Sequence, residues 1–502
     1  MLSANHFAVL NQVRLSSDAS QRTLARATQL SVGTVNSTVR TLQAQGLIDQ
    51  GCLTDKGKLA LEPYRVTNAV IMAAGMSTRF APISYEKPKG LLKVKGEVLI
   101  ERTIRQLQEA GITDITLVVG YKMEQFLYLE DTMGVKIVVN PVYAERNNNS
   151  TLKLVEDRLD NTYICSADNY FSDNVFEPYV YHAYYAAVFQ EGPTDEWGLT
   201  VGAHDRITKV TPGKKDSWVM LGHAYFDRAF SQRFTAILDE VYDLDETKPK
   251  LWEAIYSDHI RELDMRIRRY EPGIIFEFDS MDDLRDFDPE FLVNIDSSIF
   301  DNICRVLRVS RSDLHGFQPI TEGLTNLTFR FFAGDKEYAY RHPGVATKGI
   351  LNRSAEAQAE VIAAELGLDS SFVHLDPDTG WKISQFIEVS EHFDYHNPHH
   401  VGLAMDCIRT LHTSGRAIDN VFDIYAEARK IIGLLFQGSS RKSSGVLDFP
   451  DFAILEAQAG ALHDLTQADG VPLVLCHDDF YDPNILVVGD DLCLIDWEYS
   501  GM

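Results

Sequence analysis

The sequence predicts a multidomain α/β chain: a small helical head with a β-ribbon wing, an open doubly wound sheet, and an α+β end domain. Three observations carry this. Residues 1–65 hold three short apolar-periodic helical patterns followed by a glycine turn. From residue 66 onward, buried strands alternate with amphipathic helices, which is the signature of a doubly wound sheet. The last two hundred residues hold strands, a helix, and a late cluster of His, Asp and Asn. At 502 residues the chain is long enough for about three domains. The boundaries read as 1–65, 66–292 and 300–502.

Composition excludes several classes. With 45% hydrophobic and 24% charged residues the chain is an ordinary globular one. No apolar run approaches the roughly 18 residues of a membrane span, so no membrane partner is expected. Met1 to His6 lack a basic segment followed by an apolar core, so they do not read as a secretory signal. Six scattered cysteines without a C-x-x-C pair fit a reduced, cytoplasmic chain without structural zinc. The net charge is −26, but residues 1–65 carry seven basic and four acidic residues, a net of +3 against −29 for the rest. Any nucleic-acid contact is therefore confined to the head, and the body must handle phosphates through local cations and metal ions.

In the head, Ala4 to Val13 is apolar-periodic, Ser20 reads as the cap of a second helix, and a third helix is expected from Thr34 to Gly46. Leu47 to Asp49 reads as a strand, Gly51 as the wing turn, and Leu53 to Gly57 as the returning strand. This order resembles a bacterial winged helix-turn-helix regulator. The resemblance implies DNA contact through an outward face of Thr34, Asn36, Ser37 and Arg40. With one arginine on that face, a docking or dimerisation module is the competing reading.

Val66 to Ala74 is a buried strand running into Gly75-Met76-Ser77-Thr78-Arg79. A strand feeding such a turn lets backbone N–H groups approach a phosphate, which makes Ala73 to Thr78 candidate nucleotide contacts. Lys87-Pro-Lys89 follows, then the amphipathic helix from Leu99, then a second buried strand, Ile115 to Tyr121. Ligands of such sheets bind at the carboxyl ends of the strands. Serine at position 77 costs something if the turn needs a positive φ.

These motifs (A-A-G-x-x-x-R, K-P-K-x-L-x-x-V, V-x-G-Y) resemble the sugar-nucleotide pyrophosphorylases. Asn140-Pro, the stretch from Asn147, Ser166-Ala-Asp168-Asn, Glu196-Trp197, Leu251-Trp252-Glu and Glu277-Phe-Asp279 sharpen the resemblance toward bacterial CTP:phosphocholine cytidylyltransferases. The resemblance implies CTP and phosphocholine as substrates, with Arg79 and Lys89 on the triphosphate. Asn140 and Asn147 would help bind the nucleotide. Asp168 and Asp279, each following an apolar strand, would hold Mg²⁺; the plain alternative is a loop cap at a strand end. A quaternary ammonium cannot donate a hydrogen bond, so its site needs aromatic faces and a counter-charge. Trp197, Trp252 and Tyr225, with Glu196, form the expected choline cage. Simple core packing is the other reading of these aromatics.

In the last segment, Ile320 to Phe332 reads as a glycine turn, at Gly323, between two strands. Lys336 to Arg341 is the next strand, and a helix opens near Glu356. His477-x-Asp479-x-x-x-x-Asn484 is followed by an apolar strand ending in Asp496-Trp-Glu498. That is the residue set phosphoryl transfer needs. The segment resembles the choline kinase and aminoglycoside phosphotransferase family. The resemblance implies Asp479 as base, Asn484 and Asp496 as Mg²⁺ ligands, and Arg341 with Glu356 as the nucleotide-positioning pair. Arg341 stands where protein kinases use lysine. Family members continue with helices that finish the alcohol pocket, whereas this sequence stops six residues after Asp496. The expectation is therefore an incomplete lobe that phosphorylates choline poorly.

Together the resemblances imply a cytoplasmic bifunctional enzyme that makes CDP-choline from choline, ATP and CTP for decorating cell-surface polymers. Two rivals stand beside it: a sugar-1-phosphate nucleotidyltransferase with a small-molecule kinase, and a ligand-responsive DNA-binding regulator with degenerate catalytic modules. Choline against ethanolamine, any DNA operator of residues 1–65 and a homo-oligomeric state stay open.

Overall fold

The computed structural model describes residues 2–320, 326–344, 350–438 and 451–502. The glycine turn expected at Gly323 lies outside the described residues. The chain divides into two compact units, Met1–Ile295 and Asp296–Met502.

The head opens the first unit with helices Ala4–Leu15, Gln21–Thr28 and Val32–Ala44. Each starts because a serine hydroxyl, from Ser3, Ser20 or Ser31, accepts a backbone N–H of the first turn. The third helix therefore begins at Val32 rather than Thr34, since Ser31 caps it through the Thr34 N–H at 3.1 Å. The wing is the short ribbon Ile48–Asp49 with Cys52–Leu53. The expected return through Gly57 ends early: Thr54 caps a fourth helix, Asp55–Leu61. Gly57 is needed there, because a Cβ would sit 2.2 Å from the Leu47 carbonyl oxygen.

The head is not tethered by a free linker. Tyr64 joins Phe7 and Tyr181 in an aromatic cluster with centroids 5.0–5.2 Å apart. The Tyr181 hydroxyl donates to the Leu2 carbonyl at 2.8 Å. Arg14 lies over the Tyr179 ring at 4.7 Å. Asn161 donates to the carbonyls of Pro63 and Arg65, each at 2.9 Å. These contacts make the head a wall of the first unit.

That unit is built on a nine-stranded mixed sheet. Its parallel part runs Lys136–Val139, Ile115–Val119, Asn68–Ala73, Thr162–Ser166. All five residues of Ile115–Val119 are buried, as expected for a strand covered on both faces. Helix Leu99–Glu109 covers one face with Ile100, Thr103, Ile104 and Leu107, a stripe at helical spacing. Ser217–Phe226 pairs antiparallel with Thr162–Ser166 and carries the sheet on to Trp197–Val201 and Tyr184–Gln190. Separate hydrophobic cores lie on the two faces, one holding Tyr163 and Tyr225, the other Phe226, Phe234 and Trp252.

In the second unit, Leu314–Ile320, Leu327–Ala333, Lys336–His342, Lys382–Gln385 and Phe372–Leu375 form an antiparallel sheet in that order. Helix Arg353–Glu365 packs near it. Below lie helix Pro398–Thr413 and the ribbon Ile485–Val488 with Asp491–Leu494. A core of Ala359, Leu368, Leu411, Ile485, Leu494 and Trp497 binds these parts together.

Candidate functional site

Strands Asn68–Ala73 and Thr162–Ser166 end side by side at a cavity of about 480 Å³, lined by Ala73 to Thr78, Pro88 to Gly90, Asn140, Asn147 and Ser166 to Asp168. The cavity thus sits beyond the strand C-termini, where a doubly wound sheet binds ligands. Ser77 has φ +49° and ψ +45°, a left-handed conformation. For serine this costs about 1–2 kcal/mol. Gly90 is fixed by close packing, since a Cβ there would lie 2.9 Å from that of Ala167.

The structure pairs the expected cations with the expected carboxylates. Lys89 Nζ lies 3.0 Å from Asp168 Oδ2, and Arg79 lies 3.1 Å from Asp279. Burial alone would lower the Lys89 pKa; the negative charges of Asp168, Glu277 and Asp279 outweigh it and hold the ammonium charged. Arg79 is largely exposed at the cleft mouth. The carboxylate oxygens of Asp168 and Asp279 are a donor set that suits a hard divalent ion.

Asn140 is buried at the cleft, donating to Ser150 Oγ at 2.9 Å and accepting the Val142 N–H at 3.0 Å. Asn147 donates to the Pro249 carbonyl at 3.0 Å, so it also ties segment 147–149 to segment 247–250. Those bonds orient residues that motif spacing did not single out. Asn148 accepts the Trp252 N–H at 2.7 Å and donates to Glu253 at 3.2 Å. The Tyr185 hydroxyl donates to the other Glu253 oxygen, also at 3.2 Å. Burial raises the Glu253 carboxyl to about 7. Glu277 is exposed at the surface of this group, and its carboxyl is raised by partial desolvation and then by the charge of Asp168. Glu196 is raised by burial and then by Asp279. Asp168, Glu196, Glu253, Glu277 and Asp279 thus gather around Tyr185, Lys89 and Arg79 with carboxylates in excess.

The expected choline cage is corrected. Tyr225 is 0% exposed and packs on Tyr163 and Tyr184 at 5.4 and 5.9 Å. Trp252 is 1% exposed, stacks on Tyr185 at 5.7 Å and meets Phe226 at 5.1 Å. Tyr225 and Phe226 are consecutive strand residues and point to opposite faces, so Tyr225 and Trp252 lie in different cores. Trp197 is half-buried against the Trp252 cluster. Glu196 is within the acidic group; the aromatic members do not share one box.

In the second unit, Arg341 lies 2.5 Å from Glu356, 3.4 Å from Asp496 and 3.7 Å from Glu498. Asn484 donates its amide to Asp479 Oδ2 at 2.9 Å, which leaves the amide oxygen as the atom an ion could take. Burial and then the neighbouring charge of Asp496 raise the Asp479 pKa. His477 is buried, bonds the Ile495 carbonyl at 3.0 Å and accepts the Asp479 N–H, with its pKa lowered by burial. Carboxylates of Glu356, Asp496 and Glu498 converge within 4.8 Å of one another. Arg353 adds a second guanidinium, 2.8 Å from Glu356 and 3.3 Å from Glu498.

Comparison with known proteins places these parts. The model of the MobA-like NTP transferase domain matches residues 69–197, that of the MarR family residues 2–56, and that of the phosphotransferase enzyme family residues 395–502. Such transferase and kinase-like families use divalent metal ions. No helix among the described residues is long and apolar enough to cross a membrane. The chain is 26% identical to Protein LicA of Haemophilus influenzae over 188 residues, 36% of this chain and 66% of that protein. It is 36% identical over 226 residues to a 2-aminoethylphosphonate cytidylyltransferase of Lancefieldella rimae, covering 44% of this chain and 92% of that protein. It is likewise 36% identical over 217 residues to the choline-phosphate cytidylyltransferase of Streptococcus pneumoniae, covering 43% of this chain and 95% of that protein. Carrying nearly the full length of such enzymes on its first unit's strand–turn–cleft frame, the chain belongs to the family of bacterial cytidylyltransferases that includes choline-phosphate cytidylyltransferase.

Proposed function

We propose that residues 66–292 transfer the cytidylyl group of CTP to phosphocholine, and that residues 300–502 phosphorylate choline with ATP to supply it. One phosphocholine oxygen bonds to the α-phosphorus of CTP, the bond to the bridging oxygen breaks, and pyrophosphate leaves. Lys89 and Arg79 hold and neutralise the triphosphate, while the Gly75 turn presents backbone N–H groups to it. Asp168 and Asp279 would hold Mg²⁺, whose charge stabilises the developing oxyanions when bound. In the second segment Asp479 accepts the choline hydroxyl proton, with Asn484 and Asp496 as the ion's ligands. CTP and ATP as substrates assign both reactions to the cytoplasm.

The observation that carries the acceptor is the carboxylate excess. In this group five acids lie around Lys89 and Arg79, and Glu196 and Glu277 are raised by burial and then by neighbouring negative charge, whereas burial alone raises Glu253. An acceptor bringing a fixed positive charge relieves that excess; a neutral sugar bearing only phosphate adds to it. The intact acid and amide sets also disfavour a purely regulatory protein. The test is pyrophosphate release with CTP, UTP and dTTP crossed against phosphocholine, phosphoethanolamine, 2-aminoethylphosphonate and glucose-1-phosphate. CTP with a cationic acceptor, phosphocholine foremost, should turn over fastest. Fastest turnover with glucose-1-phosphate would overturn the reading.

A further inference from the structure

The second unit contains a buried ion pair that the phosphotransfer set above does not use. Strand Lys382–Gln385 pairs antiparallel with Lys336–His342, and the register sets Lys382 directly opposite Arg341. Opposed residues of an antiparallel pair project from the same face of the sheet. On helix Arg353–Glu365, Glu356 and Glu360 are four residues apart and share a face. Both are buried, at 1% and 0% exposure. The two strand cations meet the two helix glutamates one to one: Arg341 with Glu356 at 2.5 Å, Lys382 with Glu360 at 2.5 Å. Asp369 is 3.9 Å from the Lys382 ammonium.

The two clamps differ in what else they reach. Arg341 also contacts Asp496 and Glu498, so it looks toward the phosphotransfer centre. Among the described residues, the ion-pair partners of Lys382 are Glu360 and Asp369, neither of them a member of the phosphotransfer set. Burial is the largest influence on both members of the pair; it pushes the Glu360 carboxyl up, and the Lys382 ammonium 2.5 Å away pulls it back toward the ionised form. Lys382 stays charged because Glu360 and Asp369 outweigh its own burial.

We propose that Lys382 is a positioning residue of the phosphotransfer unit: by neutralising Glu360 it fixes the helix in the register that leaves the Arg341 guanidinium between Glu356 and Asp496. A buried carboxylate needs a cationic or hydrogen-bonding partner. Without Lys382, the nearest alternative for Glu360 is the guanidinium on the adjoining strand. Arg341 cannot shed its charge and is able to fork to two acids, so it would be shared with Glu360 and drawn off the nucleotide side. A buried ion pair is weak evidence for stability, since an apolar pair of similar volume is often as good. Fixing one register among competitors is the better-attested use of such a pair, and here the competitor is a second glutamate one turn away.

The inference rests on the kinase reading, and the experiment separates the two. Mg·ATP affinity of the 502-residue chain is measured by displacement of a fluorescent ATP analogue, alongside its melting curve. Lys382→Met should weaken ATP about ten-fold. The double variant Lys382→Met with Glu360→Met, which removes the competing acid together with its partner, should return within about two-fold of the unmodified chain. Lys382→Arg should also stay within that range. An unchanged affinity in Lys382→Met overturns the proposal, as does a double variant that melts normally yet binds as weakly as the single one. Failure of both to fold makes the pair a stability element and overturns it too. If the unmodified chain shows no ATP binding that Asp496→Asn abolishes, the kinase reading itself fails.

Discussion

At the scale of single residues, the cleft carries charge in pairs, and each pair makes a different demand. Asp168→Asn removes the anion facing Lys89 and one expected ion ligand together. Cytidylyl transfer should fall about 100-fold or more, since electrostatic stabilisation is usually the largest catalytic contribution. The melting temperature should fall as well, because Lys89 is left buried with a weaker partner. Pyrophosphate release and calorimetry on the same variant check both; near-normal turnover would remove Asp168 from the reaction. Glu253 makes the opposite demand. Its carboxyl is raised by burial in the folded chain to about 7 from the ordinary 4.5 of a free glutamate. Between those values the folded state binds the proton more readily than the unfolded state, so this residue's contribution to stability falls as pH rises through that window. Glu253→Gln removes a charge that is costly only when ionised. The variant should melt like the unmodified chain at pH 5 and above it at pH 8, by a few kcal/mol at most. It should lose affinity for a cationic acceptor at the same time. A gain at pH 5 that vanishes at pH 8 would contradict this assignment. At Ser77 the left-handed backbone makes Ser77→Gly nearly neutral. Relief of about 1 kcal/mol of strain is offset by the greater freedom of glycine in the unfolded chain. Denaturant midpoints measure that balance.

At the scale of elements, the head shows how one helix set can be fixed in place while keeping a face free. Its first helix and residues 62–66 are occupied by the transferase body through Tyr179, Tyr181 and Asn161. Ser37 and Arg40 on the third helix remain exposed, whereas Asn36, expected outward, is half-buried and donates to Gln21 at 2.8 Å. With so few cations on that face, we expect at most weak, salt-sensitive DNA binding. Fluorescence anisotropy with a random duplex at physiological salt checks it, and tight binding there would contradict it. Tyr181→Ala should cost about 2 kcal/mol, because it empties the centre of the Phe7–Tyr64 cluster. Transferase and head signals should shift together in denaturant if the two melt as one body.

At the scale of the whole molecule, two compact units with separate cores favour more than one unfolding transition. A ligand that binds only the folded form raises the transition of its own unit. CTP with Mg²⁺ should therefore raise one calorimetric transition, and ATP with Mg²⁺ a different one. A single transition raised equally by both would contradict independent units.

The order of elements and most of their limits are local properties, and the sequence was enough to determine them. Ser20 and its neighbours announce helix starts because a cap reaches only three residues along the chain. The alternation of buried strands with amphipathic helices dictates a doubly wound sheet, whose strand ends must hold the ligand. The family resemblances carried by those motifs likewise made Lys89, Asp168, Asp279, Arg341 and Glu356 visible as candidates. Where local signals overlapped, the nearer cap prevailed, as when Thr54 turned the expected return strand into a helix. Tertiary structure alone decided which candidates meet. Tyr225 and Trp252 look equivalent in sequence, yet one strand's alternation sends Tyr225 and its neighbour Phe226 into opposite cores. Glu253 acquires its raised carboxyl from burial, which outweighs the hydrogen bonds it accepts from Asn148, 105 residues away, and from Tyr185. Lys382 gains its place through a register with Arg341 and a helix face bearing Glu360. Burial and charge depend on neighbours brought together by folding, and no spacing along one chain encodes which neighbours those will be.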